Sequence, residues 1–317
     1  VVDYKGGDIV LNAEKNIVLT MDRFPGVAKY AGEKLVVTDG MTLLGADDKA
    51  GIAIIVETAR YFVEHPEVPH AKLCFAITPD EEVGRGTENF DIPAFGAQYA
   101  YTFDGDELGG FETETFNAAM VKVHFEGLNT HPGSAKNKMV NAIRMAMDFI
   151  SRLPAESIPE KTEGHEGFFH PMGITGAVRG VDLKMLIRDH NNFRFEERMN
   201  YVRKMVEEMN KVWGNRVTAD IKVQYHNLKN YLDKHPAVCE LAREAYRRIG
   251  VEINEKPVRG GTDGARLSAR GLPTPNLFTG GMNYHGIFEC LSVTGIERAL
   301  ELGIMLGKMS AEVKTLD

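Results

Sequence analysis

Three acidic clusters, each closing an apolar run of strand length, constrain this chain more than any other feature. Asp47 and Asp48 follow the apolar stretch 35–44 and open a helical pattern; Glu81 and Glu82 follow the run 73–77; Asp104 follows the run 99–103. In open α/β sheets the functional crevice lies outside the carboxyl ends of the parallel strands. Three clusters with that address converge in one crevice. Like charges packed together are costly unless a cation sits among them, so a divalent metal, or two, is the natural solution. Taken singly, each cluster has a blander reading. An Asp pair before a helix usually caps it, a Glu pair in a loop is usually solvated, and Asp104 before Gly105 makes a turn.

The periodicity around these clusters predicts an α/β layer fold. Residues 35–38 and 41–44, joined at Asp39-Gly40, read as a β-hairpin. Ile52, Val56, Ala59 and Phe62 recur at helical spacing and mark one buried face. The unbroken apolar run 73–77 suits a strand buried on both faces of a parallel sheet, with Cys74 as plain core, and 99–103 reads as a second strand. The character changes near residue 117. An alternating strand spans 120–125, and a helix follows with Val140, Ile143, Met147 and Ile150 on one face. Strands are expected at 172–178, 183–188 and 217–225, and a charged helix at 193–213 before Gly214. Two β-α-β-type units of this size suit a small open sheet inserted into a larger domain. The predicted division is 1–116 with 228–317 for the larger domain and 117–227 for the insert.

Composition narrows the function classes. At 317 residues the chain suits two domains, and 43% hydrophobic with 26% charged residues is ordinary for a globular protein. A net charge of −8 without a Lys/Arg run disfavours nucleic acid and anionic membranes as partners. No apolar stretch is long enough to span a bilayer. The N-terminus has neither an initiator Met nor the basic and apolar regions of a signal peptide. Cys74, Cys239 and Cys290 are odd in number and far apart. They argue against a disulfide framework and for a reducing, cytoplasmic setting.

Neighbouring carboxylates such as Glu81 and Glu82 can split roles, one ligating a metal and the other taking a proton from activated water. Zinc also takes imidazole nitrogen, and His285, between glycine-containing flanks, is the candidate. The segment Arg259-Gly260-Gly261-Thr262-Asp263-Gly264 reads either as an anion cradle for substrate or as a surface turn. His131, in Asn129-Thr130-His131-Pro132-Gly133, is a loop histidine of the insert.

Together these segments resemble the two-zinc exopeptidases, a family that includes glutamate carboxypeptidases, aminoacylases and succinyl-diaminopimelate desuccinylase, and within it the tripeptide aminopeptidases. The matching stretches are 45–51, 78–86, 101–105, 116–119, 129–133, 259–264 and 275–281 with His285. The resemblance implies a zinc-exopeptidase-like α/β catalytic domain with an inserted ferredoxin-like α+β lid and dimerisation domain. It implies that Asp47 bridges two Zn2+ ions across a cis peptide to Asp48. Glu82 and His285 complete one site, Asp104 ligates the other metal, and Glu81 is the general base. It further implies that His131 stabilises the oxyanion from a partner subunit and that Arg188, Arg259 and Asn276 contact a short peptide substrate. Mn2+ or Co2+ also suits such ligands. A homodimer through the insert follows from the role given to His131.

The chain departs from the family at one point. The family places a His-x-Asp motif upstream of the bridging Asp, and none of the ten histidines here is followed by Asp two positions later. The expectation is an incomplete chain, with the second zinc weakly held, the sheet short of neighbours and activity lost. A sibling dipeptidase, carboxypeptidase or deacylase, and a binding protein that has lost the chemistry, are the alternatives.

Overall fold

Strict alternation fixes one part of the molecule. In the strand Asn117–Glu126, Val121, Val123 and Phe125 point inward while Lys122, His124 and Glu126 face out. The computed structural model describes residues 1–313 and divides into two units. One comprises Val1–Thr113, Leu228–Lys256 and Thr262–Asp317, the other Glu114–Asn227 and Pro257–Gly261.

The second unit is one antiparallel four-stranded sheet built from Asn117–Glu126, Phe168–Ala177, Gly180–Asp189 and Val217–Tyr225. Numbered along the chain, the strands lie in the order 4-1-3-2. With the helices Ala142–Ser151 and Asn192–Trp213 between them, this is the split β-α-β arrangement of a ferredoxin-like fold. Val121 pairs with Met185 and Val123 with Leu183. That face of the sheet packs against Met145, Phe149, Val202 and Met205 of the helices. Asn141 and Asn191 cap the two helices with their side chains, and Gly214 ends the second in the left-handed conformation.

The first helix of this unit buries Ala142, Met145, Ala146 and Phe149. It leaves Ile143 and Met147 exposed, the latter at 64%, so the expected stripe is wrong by about one position. Two neighbouring stripes of this helix both carry apolar residues at helical spacing. The larger contact decides between them: the Phe149 ring meets the Phe125 ring edge-on at 5.7 Å.

In the first unit the strands are shorter, and one of the sheets is mixed. One sheet runs Asn254–Glu255, Gly110–Glu112, Asn276–Phe278, Thr102–Gly105. Its outer pairs are parallel and its central pair is antiparallel. A second, antiparallel sheet runs Val2–Asp3, Lys34–Val37, Cys290–Ser292, Gly281–Met282. Helices Ala46–Glu64, Pro236–Ile249, Asp263–Ala269 and Val293–Met309 belong to the same unit.

Several sequence expectations fail here. The hairpin does not form, because both edges of Lys34–Val37 are taken, one by Val2–Asp3 and the other by Cys290–Ser292. Residues 71–79 form no regular element. No strand pairs with them among the described residues, so Phe75 and Ile77 are exposed and Cys74 is half-buried instead of core. The strand expected at 99–103 begins only at Thr102. The long helix buries Ala50, Ile54, Thr58 and Phe62 and leaves Ile52 and Val56 outward. Ile52 lines a groove of ≈ 690 Å³ that also reaches Asp47, Glu81 and Asp104.

Candidate metal centre

The geometry around Asp47 starts with backbone. Gly45 sits at φ 65° before the helix, a conformation that costs glycine nothing. Asp47 and Asp48 depart from helical dihedrals, and the peptide between them is cis, as the resemblance implied. The Asp48 carboxylate accepts the Gly51 amide at 3.0 Å. A Cβ at Gly51 would collide with the Phe103 carbonyl, so glycine lets the helix start lie against the strand that carries Asp104.

Glu81 and Glu82 sit on a single tight turn, Glu81–Val83, flanked by Asp80 at φ 64° and Gly84 at φ 67°. His285 also takes a left-handed conformation, φ 61°, as does Asn283 at φ 57°. These turns bring three side chains together from distant parts of the chain. His285 Nε2 lies 2.9 Å from Asp47 Oδ2 and 3.3 Å from Glu82 Oε2. One potential ligand atom from each of Asp47, Glu82 and His285 lies within 4.8 Å of the others. Two carboxylates and an imidazole make a donor set that suits a zinc-like divalent ion.

The electrostatics agree with that geometry. Burial raises Asp48 to about 8, with Asp47, Glu81 and Glu82 adding to the rise against the Gly51 hydrogen bond. Burial likewise raises Glu81 to about 7, and Asp263, Glu82 and Asp47 push it further while Arg266 opposes. Asp104 is pushed strongly upward, by burial first and then by Asp48, Glu81 and Asp47. Glu82 is raised by burial and Asp47, and His285 counteracts. The four carboxyls depress one another's ionisation, the condition a divalent cation relieves.

Three buried polar groups late in the sequence hold the segments that bear these acids. Glu289 accepts the backbone amides of Gly45 at 2.6 Å and Asp47 at 3.0 Å. Asn276, which is fully buried, accepts the Asp104 amide at 3.1 Å and the Thr102 hydroxyl at 2.8 Å, and donates to Glu112 at 2.6 Å. Asp263 accepts the Thr78 hydroxyl at 3.0 Å. A Cβ at Gly86 would collide with the Asp263 carboxylate. Sequence reasoning missed Glu289 and Glu112 and gave Asn276 to the substrate; its amide is instead spent inside the sheet. The one signal at Glu289 was an acid wedged between Phe288 and the apolar strand Cys290–Ser292.

The remaining expected site residues belong to the second unit. Arg259 donates to the carbonyls of Gly164 and Glu166 and to the Thr162 hydroxyl, so its terminal nitrogens are committed within that unit. Arg188 is half-buried, lies over the Tyr225 ring at 5.6 Å, and has its pKa lowered by burial. His131 starts a short turn, with Nδ1 accepting the Gly133 amide at 3.1 Å.

Comparison with known proteins defines the class first. Residues 113–214 match the peptidase dimerisation domain of the M20 peptidases. A dinuclear metal-binding peptidase of the M20 family from Bacillus subtilis shares the fold at TM-score 0.60, with 14% identity over 83% of this chain and 72% of that one. The crystal structure of an aminopeptidase from Bacillus cereus aligns at TM-score 0.73 with 28% identity, over 89% of this chain and 77% of that one. Peptidase T of Parabacteroides distasonis is 48% identical over 311 residues, 98% of this chain and 77% of the relative. The chain belongs to the peptidase T family, and so to the metal-binding hydrolases that act as exopeptidases.

Proposed function

We propose that the chain carries the catalytic acids of a zinc-dependent aminopeptidase that removes the N-terminal residue from tripeptides. The observation that carries this reading is the convergence of Asp47, Glu82 and His285 on one point, with Glu81 beside them on the same turn. Asp47, Glu82 and His285 would hold one metal, and Asp47 with Asp104 would contribute to a second. When bound, such ions polarise the scissile carbonyl and lower the pKa of water. Glu81 takes a proton from the attacking water and returns it to the departing amine. It shares a turn with Glu82, beside the proposed ligands. His131, reaching from the partner of a homodimer, offers an imidazole to the developing oxyanion. Arg188 is the stronger candidate for the substrate carboxylate, because Arg259 is occupied by the loop 162–166.

Support for the tripeptide substrate comes from the family, and support for a dimer from the match of 113–214 to a dimerisation domain.

The test is hydrolysis of a free tripeptide and of its N-acetylated form by the protein supplied with Zn2+ or Mn2+. Release of the N-terminal residue from the free peptide alone supports an aminopeptidase. Equal cleavage of the acetylated peptide would point to a carboxypeptidase or deacylase of the same family.

A further inference from the structure

We infer that Glu289 is a positioning residue of the metal centre, fixing Asp47 through its backbone so that the ligand geometry exists before a metal arrives. The inference rests on the reading of Asp47, Glu82 and His285 as metal ligands.

Glu289 is 2% exposed. A buried carboxylate is costly unless hydrogen bonds or a cation compensate it, and no Lys, Arg or His lies within ion-pair distance of it among the described residues. Its compensation comes from two backbone amides, one per oxygen: Gly45 at 2.6 Å and Asp47 at 3.0 Å. Such an arrangement ties both amides to one buried side chain. Its effect is to fix the direction of the backbone at Gly45 and Asp47, where the chain leaves ordinary helical geometry.

The same loop holds the other end of Asp47. His285 meets the Asp47 carboxylate, and Glu289, four residues later, holds the Asp47 amide. The Glu289 amide donates to the Gly286 carbonyl at 3.1 Å and closes the turn between them. The antiparallel pairing of Gly281 with Leu291 and Met282 with Cys290 fixes the ends of the loop, and Cys290 also pairs with Val37. The spacing of Asp47 and His285 is therefore set by covalent connection and by two hydrogen bonds. Groups that orient metal ligands in this way are worth roughly 10–100-fold in metal affinity.

The experiment titrates Mn2+ and Zn2+ into metal-free protein by calorimetry, for the wild type, Glu289→Gln, Glu289→Ala, Asp47→Ala and Leu35→Val. Exchange of the Gly45 and Asp47 amides is followed by NMR. Leu35 is buried in the sheet that carries Cys290, so its substitution loosens that sheet without touching Asp47. Glu289→Gln should weaken metal binding roughly 10-fold or more, speed exchange of both amides, and keep the wild-type circular dichroism. Leu35→Val should lower the melting temperature and leave affinity unchanged. If Glu289→Ala does not fold, Glu289→Gln decides. A folded Glu289→Gln protein with wild-type affinity and exchange overturns the inference, while loss of binding in Asp47→Ala keeps the metal centre. If the wild type binds no metal, the metal centre fails and the inference with it.

Discussion

The unit Glu114–Asn227 and the acid-bearing part of the first unit are assembled by different means. In the former, side chains alternate in and out along full-length strands, and one apolar cluster joins four strands to two helices. In the latter, the acids sit on a distorted helix start, a single tight turn and a four-residue strand. What holds those pieces is a set of buried polar groups, Asn276, Glu289 and Asp263, contributed from far along the chain. Apolar periodicity builds a scaffold, whereas the site is placed by hydrogen bonds that no local pattern announces.

The contrast is sharpest in the first substitution. Phe125→Ala empties a fully buried position against Phe149 and should cost about 3–5 kcal/mol, measured by urea denaturation. A loss below about 1 kcal/mol would mean that the sheet-and-helix core is not what stabilises this unit.

A second comparison tests the polar anchors through pH. Burial raises Glu112 from its ordinary value of 4.5 to about 7, with the Asn276 hydrogen bond opposing and Asp106 adding. The folded state therefore holds this proton more tightly than the unfolded state. The associated stability is fully present below about pH 4.5 and is lost as pH rises through about 7. Over that window the change should be on the order of 3 kcal/mol. Glu112→Gln should flatten the stability profile between those limits, and an unchanged slope would remove Glu112 as its source.

The legible and illegible parts of the sequence divide along the same line. The strand Val217–Tyr225 and the helix ending at Trp213 before Gly214 were readable almost to the residue, because alternation, caps and a terminal glycine are local signals. The run 73–77 looked like a buried strand, yet a strand is defined by its neighbours, and none pairs with it among the described residues. The acids were readable as chemistry, since carboxylates after apolar runs are conspicuous. The amides they depend on were not, since Glu289 accepts from Asp47 across 242 residues.

The smallest expected effect lies in that misread run. Ile77 is 57% exposed, so Ile77→Ser should change stability by no more than about 0.5 kcal/mol, in contrast to Phe125→Ala. A loss comparable to that of Phe125 would show that 71–79 is core after all.

The central claim is that Asp47, Glu82 and His285 form a metal site, and stoichiometry tests it most directly. Metal-free protein is titrated with Zn2+ or Mn2+, and the metal retained per chain is measured for the wild type, Asp47→Ala, Glu82→Ala and His285→Ala. The account predicts at least one tightly held ion in the wild type and its loss in each variant. Retention of wild-type stoichiometry and affinity in all three would contradict it.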